Sequence, residues 1–237
     1  MAWSRTADLQ QAILEHPFNV ALAAGTLDQD RFAFYLVQDS RYLVGFAKAL
    51  AAAAARLPNP VDAAFFAGSA QTALAVERSL HGEYLAGFGV SAAETAGIET
   101  SPACEAYTSY LHSVALTEPH QVLVAALLPC FWVYEHVGRT IRDKAGDLSG
   151  HPYARWIATY AHEDFAESVR RAREVADRLA AGADRELERR MGAAFTRGCE
   201  YEWLFWDSAW RLETWPTRRW RTPEDARNGM SGDDPVT

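Results

Sequence analysis

Cysteine is scarce in this sequence, and its arrangement excludes two common structural roles. The 237 residues include three cysteines, Cys104, Cys130 and Cys199, an odd number with no C-x-x-C spacing. Neither a disulfide framework nor a structural zinc site is therefore expected. The first residues contain no apolar segment of signal-peptide length, so we expect a reduced, cytoplasmic protein.

Several other signals are missing as well. No run of about 18 apolar residues occurs, so no membrane span is expected. The net charge is −8 and the body of the chain has no basic block, which argues against nucleic acid as a partner. There is also no Gly-rich phosphate loop, no nucleophile elbow and no β-branched run with strict alternation, so we expect no sheet.

The chain is rich in apolar residues, and these recur at helical spacing. Hydrophobic residues make up 49%, with eight Trp, nine Tyr and eleven Phe, enough for a substantial core. We predict one all-α domain over residues 1–215, folded as a helical bundle, and a polar tail over 216–237. The predicted helices cover about 3–15, 26 or 28 to 56, 61–87, 102 onward, 119–144, 153–181 and 184–213.

One apolar helical run carries a proline beside a cysteine, at Pro129 and Cys130. Proline lacks a backbone N–H and its ring clashes with the preceding turn, so a kink is expected there. Tyr134 lies four residues after Cys130, on the same helix face. A thiol with a phenol one turn away fits an active site, although a lone buried cysteine is more often inert.

Two carboxylates stand among aromatic residues. Asp39 and Tyr42 are three residues apart in one apolar helix, where an acid is costly to bury unless it is paired or bonded to a ligand. Glu202 follows the same pattern beside Trp203, and burial would raise its pKa toward the range useful for a general acid. Each acid could instead face water, and neither is decisive alone.

A metal site is a competing hypothesis. Glu77 and His81 are four apart on one predicted helix, and His162-Glu163-Asp164 lies on another. Helical bundles build di-iron sites from such residues, but the Glu-x-x-His spacing is not present in duplicate. An exposed polar pair is the more common explanation, so no metal is expected.

One nearly all-apolar segment and one run of small residues indicate self-association. Residues 125–137 are nearly all apolar, and residues 51–55 form a run of small side chains that permits close helix approach. A helix that is apolar all round is buried in a core or in a subunit interface. We therefore expect a homo-oligomer.

Taken together, the motifs resemble a known family. They run Tyr-Leu-x-Gln-Asp with a Tyr three residues later, Ser-Pro with Tyr-Thr-Ser, Leu-Leu-Pro-Cys-x-Trp-x-Tyr-x-x-x-Gly, Trp-Ile-x-x-Tyr, and Glu-x-x-Phe-Trp. Their order and spacing resemble the TenA/thiaminase II family, in its cysteine-containing branch, over roughly residues 5–213. The resemblance implies a haem-oxygenase-like helical bundle, a homotetramer, and hydrolysis of thiamin-related aminopyrimidines.

The resemblance also implies roles for individual residues. Its nucleophile falls on Cys130, its acid/base on Glu202 and its pyrimidine-binding acid on Asp39; the pocket tyrosines fall on Tyr42, Tyr107, Tyr134 and Tyr160. Covalent catalysis by the thiol would need no metal or organic cofactor. Arg41 and Asp207 depart from the expected pattern, and either would shift substrate preference if it lined the pocket. The alternatives are a di-iron oxygenase or oxidase, and a non-catalytic pyrimidine-binding protein.

Overall fold

The computed structural model describes residues 2–76, 84, 87–88 and 92–220, and these residues form helices joined by turns, with no strand among them. Because apolar residues recur at helical spacing, each long helix buries one face against its neighbours. In chain order the helices are α1 (Ala2–Arg5), α2 (Ala7–Leu14), α3 (Pro17–Ala23), α4 (Gln29–Arg56), α5 (Pro60–Val76), α6 (Ala92–Gly97), α7 (Pro102–Thr117), α8 (His120–Ala145), α9 (Ala154–Tyr160), α10 (Glu163–Ala181) and α11 (Arg185–Arg211), followed by a 3₁₀-helix (Pro216–Trp220).

The long predicted helices are found, but two of them are broken. The segment predicted at 3–15 is interrupted at Thr6, whose hydroxyl donates to the Trp3 carbonyl at 3.1 Å. The segment predicted at 153–181 was wrong as a single helix, because it divides into α9 and α10. His162 accepts a hydrogen bond from the Asp164 N–H at 3.2 Å and so caps α10.

Other boundaries follow ordinary capping chemistry. The Ser101 hydroxyl accepts from the Cys104 N–H at 3.2 Å to start α7, and the Asp184 carboxylate accepts from the Leu187 N–H at 2.8 Å to start α11. The helices α3 and α6 were not predicted. The third helix was predicted to end near residue 87, and residues 77–83 and 85–86 of that segment lie outside the described residues. The tail beyond Trp220 lies outside them as well.

The helix α8 is the axis of the bundle. It packs against α4, α7, α9, α10 and α11, and Pro129 does not end it. Within the described part of the chain it is the helix long and apolar enough to span a membrane by length and composition, with a mean hydropathy of 1.3 over its most apolar stretch. Since 72% of that stretch is buried by other helices, it has the character of a core helix.

The closest approach of α8 and α11 depends on a glycine. A Cβ built on Gly198 would lie 2.6 Å from Pro129 Cγ and 3.1 Å from the Ala126 carbonyl oxygen. Only a residue without a Cβ fits against the proline ring at this distance. The two helices therefore meet directly beside Cys130, the residue after Pro129.

We predict that Gly198→Ala destabilises the protein. The added methyl gains helix propensity of about 1 kcal/mol but must displace a rigid proline ring, and overpacking of this kind typically costs about 1–3 kcal/mol. Gly192→Ala, in the same helix, is the matched control because its nearest neighbour is the flexible end of Arg5 at 3.5 Å. Denaturant unfolding should give a lower free energy for the first variant and an equal or higher one for the second; equal stabilities would contradict the packing argument.

Candidate active site

A cavity of about 440 Å³ opens between α4, α5, α8 and the α9–α10 segment. Its inner end carries one carboxylate, one thiol and two phenols, and its outer end is formed by small or neutral polar side chains and by phenylalanines. The residues that line it are Asp39, Leu43, Phe46, Ala64, Phe65, Gly68, Ser69, Gln71, Thr72, Ala73, Cys130, Phe131, Tyr134, Thr159, Tyr160, Phe165 and Ser168. A volume of this size is typical of a small-molecule site.

Four of the residues singled out from the sequence lie on the cavity wall. They are Asp39 from α4, Cys130 and Tyr134 from α8, and Tyr160 from the end of α9. Cys130 and Tyr134 lie one turn apart on α8, whereas Asp39 and Tyr160 are distant from them in the chain, and the packing of α4, α8 and α9 brings the four together. The wall therefore combines an acid, a thiol and aromatic hydroxyls around one space.

The other three predicted residues, Tyr42, Tyr107 and Glu202, do not line this cavity. They form a buried chain that leads away from Cys130. The Tyr107 hydroxyl donates to Glu202 Oε1 at 2.8 Å, and the Tyr42 ring packs on the Tyr107 ring with centroids 4.7 Å apart. The buried Tyr42 hydroxyl makes no hydrogen bond of ordinary length to a described residue, although it lies near enough to hold down the pKa of Cys130.

Burial controls the protonation of this group of residues. Desolvation raises the pKa of Glu202 to about 8, the hydrogen bond from Tyr107 opposes the rise, and the charge of Asp39 adds to it. Burial likewise raises the pKa of the Cys130 thiol well above its usual range, and Glu202 raises it further. At neutral pH, Glu202 is therefore mostly protonated and Cys130 is a thiol.

The cavity tyrosines are held by residues behind them. Trp156 Nε1 donates to the Tyr35 hydroxyl at 3.3 Å, and the Tyr35 and Tyr134 hydroxyls are 3.4 Å apart. Gly138 permits the approach of Tyr160, because a Cβ there would lie 2.7 Å from Tyr160 Cβ. The glycine in the Tyr-x-x-x-Gly motif thus fixes the position of a cavity wall residue.

Sequence reasoning did not find the outer wall of the cavity. The helix α5 contributes Phe65, Ser69 and Thr72, and α10 contributes Phe165 and Ser168. None of these side chains stands out by type or by spacing. The signal that could have found them is three-dimensional: α5 packs mainly on α4, the helix that carries Asp39.

The two departures from the family pattern lie outside the cavity. Arg41 donates to the carbonyl oxygen of Ile98. Asp207 lies 3.7 Å from His16 Nε2 and 2.5 Å from Arg211. Neither residue lines the cavity, so neither sets its shape or charge directly.

The residues of the metal hypothesis do not form a cluster in the described structure. Glu77 and His81 lie outside the described residues, and His162 is exposed at the start of α10. Among the residues that the structure describes, no group of three or more His, Cys, Asp or Glu side chains is arranged to hold a metal ion.

Comparison with known proteins gives a consistent result. The family model described as the TENA/THI-4/PQQC family matches residues 3–212. The chain is 33% identical over 213 residues to an aminopyrimidine aminohydrolase from Bacillus subtilis (strain 168), covering 90% of this chain and 89% of the relative.

Solved structures agree on the fold. A TenA homologue protein from P. horikoshii OT3 superposes with a TM-score of 0.78 at 28% identity, over 89% of this chain and 96% of the other. A domain of unknown function with a heme oxygenase-like fold from Shewanella denitrificans OS217 superposes with a TM-score of 0.69, at 16% identity over 88% and 90% of the two chains. The predicted all-α, haem-oxygenase-like bundle is confirmed.

The raised pKa of Glu202 predicts a pH-dependent contribution to stability. Between about pH 4.5, where a free glutamate titrates, and about pH 8, the folded state holds a proton that the unfolded state has lost. The free energy of unfolding therefore falls as the pH rises through this window, at most by about 1.4 kcal/mol per unit of pKa difference.

Glu202→Gln should remove this contribution, so denaturant unfolding at pH 5 to 9 should show a flatter profile than that of the wild type. Tyr107→Phe should shift the fall to higher pH, because the lost hydrogen bond holds the pKa of Glu202 down. Identical profiles for wild type and Glu202→Gln would contradict the assignment.

Proposed function

The chain belongs to the TENA/THI-4/PQQC family, and on this basis we propose that it is an aminopyrimidine hydrolase of thiamin salvage that uses Cys130 as its nucleophile. The reaction converts an aminomethylpyrimidine to the hydroxymethylpyrimidine, and thiamin is a second candidate substrate. The name and similarity of the Bacillus subtilis relative support the activity. The dependence on Cys130 is our own inference from the site.

One observation carries the proposal. Asp39 and Cys130 line the same cavity, and Glu202, a carboxylic acid that is protonated at neutral pH, lies within electrostatic reach of both. An aminopyrimidine offers the matching groups, since it presents an amino donor next to a ring nitrogen. The cavity wall therefore offers a hydrogen-bond acceptor for the ring and a nucleophile, and the proposed proton donor lies buried behind that wall.

Binding of the ring uses the inner end of the cavity. The Asp39 carboxylate accepts a hydrogen bond from the amino group or from a protonated ring nitrogen, and such charge-assisted bonds are strong. The rings of Tyr134 and Tyr160, with centroids 4.8 Å apart, offer flat surfaces on which the pyrimidine stacks. The ring is thereby held beside the Cys130 thiol.

The first half of the reaction forms a covalent adduct. The Cys130 sulfur adds to an electron-poor ring carbon, and the electron pair moves through the ring to expel the exocyclic amine from the methylene. Glu202 is the acid for the departing amine; because it lies behind the cavity wall, its proton reaches the amine through an intervening hydroxyl or water, and the thiol proton returns to Glu202 and balances the step. A raised pKa suits Glu202 to this role because the acid must be protonated at working pH.

The second half restores the enzyme. Water adds through its oxygen to the methylene and loses a proton, and the returning electron pair breaks the carbon–sulfur bond. The proton ends on the sulfur, so the net change is one water consumed and one ammonia released. Splitting a difficult displacement into two easier steps is the advantage of a covalent intermediate.

The family resemblance suggests the assembly, and the cysteine content and the first residues suggest the location. We propose a homotetramer in the cytoplasm with a small-molecule pyrimidine as its ligand. Light scattering coupled to gel filtration tests the tetramer.

The function is tested by incubating the purified protein with aminomethylpyrimidine and with thiamin in parallel. We expect the hydroxymethyl product from at least one of them, measured by chromatography. A protein that binds the pyrimidine but releases no product would be a binding protein, and the proposed activity would be wrong.

Cys130→Ser should lower kcat by several orders of magnitude while pyrimidine binding persists, because a hydroxyl is a far weaker nucleophile. The matched control is Cys104→Ser, since Cys104 is also buried and its Sγ lies 3.4 Å from the Gln38 carbonyl oxygen, which a serine hydroxyl can also reach. The control should retain activity. Equal activities for the Cys130→Ser variant and the wild type would rule out the thiol as nucleophile.

A further inference from the structure

The cavity is larger than its inner chemistry requires. All the groups used to hold and attack a pyrimidine lie at one end, on α4, α8 and α9. The remaining space is bounded by α5 and α10, and it can hold the leaving group that is attached to the exocyclic methylene of the pyrimidine. A volume of about 440 Å³ is in the range that holds a drug-sized ligand, which is larger than one ring.

A shallow groove adjoins the cavity on the side of α5. It is lined by Pro60, Val61, Ala64, Phe65 and Arg171, and two of these residues, Ala64 and Phe65, also line the cavity. We call it the Phe65 groove. Because Ala64 and Phe65 border both spaces, a ligand that extends out of the cavity past these two residues reaches the groove.

The Phe65 groove has a cation at its end. The Arg171 guanidinium carbon lies 5.2 Å from the centre of the Phe65 ring, and one of its nitrogens donates to the Val61 carbonyl oxygen at 3.3 Å. Among the described residues no carboxylate lies within ion-pair distance of Arg171. The nearby Glu167 accepts a hydrogen bond from Arg170 instead. A guanidinium has five N–H donors, so most of those of Arg171 are available to a ligand.

The groove is held in shape from both sides. Arg178 pairs with Asp62 at 2.6 Å, which joins the first turn of α5 to α10. The Phe65 ring packs on the Phe131 ring with centroids 6.3 Å apart, next to Cys130 in sequence. The path from nucleophile to guanidinium therefore runs along two phenylalanine rings.

We propose that the Phe65 groove binds the anionic end of an extended substrate, and that Arg171 recognises a phosphate ester there. This rests on the proposed function, because it places the pyrimidine at Cys130 and the leaving portion of the substrate toward α5. Arginine suits the role since its planar fork matches phosphate oxygens in bidentate geometry. The chemical class is a pyrimidine whose leaving group bears a phosphate monoester.

The test compares two ligands that differ only in the phosphate, thiamin and thiamin monophosphate. Binding is measured by calorimetry on the Cys130→Ser variant, so that turnover does not interfere. We expect the phosphate ester to bind at least tenfold more tightly than thiamin. Adding Arg171→Gln should abolish this difference and leave thiamin binding unchanged.

Arg170→Gln is the matched control, because Arg170 is the adjacent arginine on α10 and its guanidinium is already bonded to Glu167 and Glu174. It should preserve the preference for the phosphate ester. Arg171→Lys, which keeps the charge but loses the fork, should retain only part of the preference.

Two results would overturn the proposal: equal binding of both ligands by the protein with Arg171 intact, or an equal loss of both ligands in Arg171→Gln. Hydrolysis of aminomethylpyrimidine and of thiamin by the chain with its thiol intact is measured in parallel. Absence of the hydroxymethyl product from both aminomethylpyrimidine and thiamin, with a retained phosphate preference, would contradict the proposed function alone. Hydrolysis of either substrate without a phosphate preference would contradict the groove alone, and a protein that binds neither ligand and releases no hydroxymethyl product would contradict both.

Discussion

The contact of α8 with α11 at Pro129 and Gly198 is the constraint on which the candidate site depends. Cys130 follows the proline directly, and Glu202 lies one helical turn after the glycine on the same face of α11. The distance between nucleophile and acid is therefore set by helix packing, not by a loop. Rigid elements hold such geometry more accurately than loops do, because each residue is fixed by many buried neighbours.

Dehydration gives this geometry its chemical character. Asp39, Glu202 and Cys130 all approach one poorly solvated region, where a charge on Asp39 raises the pKa of Glu202 and charges on Glu202 and Asp39 raise the pKa of Cys130. The state of lowest free energy keeps Glu202 and Cys130 protonated, and a substrate that carries a proton on its ring can neutralise the remaining charge. The same burial that weakens Cys130 as a thiolate prepares Glu202 as a donor, so the two roles follow from one environment.

The sequence was sufficient for the long helices and for the residues on α4 and α8. Helical periodicity predicts α4, α7, α8 and α11 because each buries a continuous apolar face, and Asp39, Cys130 and Tyr134 stand out as polar groups within those faces. The interruptions at Thr6 and before His162 could not be foreseen, since in each case a side chain bonded to the backbone replaces helical hydrogen bonds.

The site was harder to predict than the helices, because it depends on which helices face each other. The outer wall on α5 and α10 uses ordinary Ser, Thr and Phe residues, which carry no signal until the bundle is assembled. Whether a buried tyrosine reaches the cavity wall is equally hard to predict. Tyr42 and Tyr107 have the same residue type as Tyr134, yet they lie off the cavity wall, and no property of the chain alone distinguishes them.

The placement of α5 has an evolutionary consequence. This helix packs mainly on α4, whereas the reacting thiol and the acid are carried by α8 and α11. Mutations on α5 can therefore reshape the mouth of the cavity while the reacting groups stay in register. A bundle divided in this way lets one catalytic centre be inherited intact by descendants that acquire new substrates.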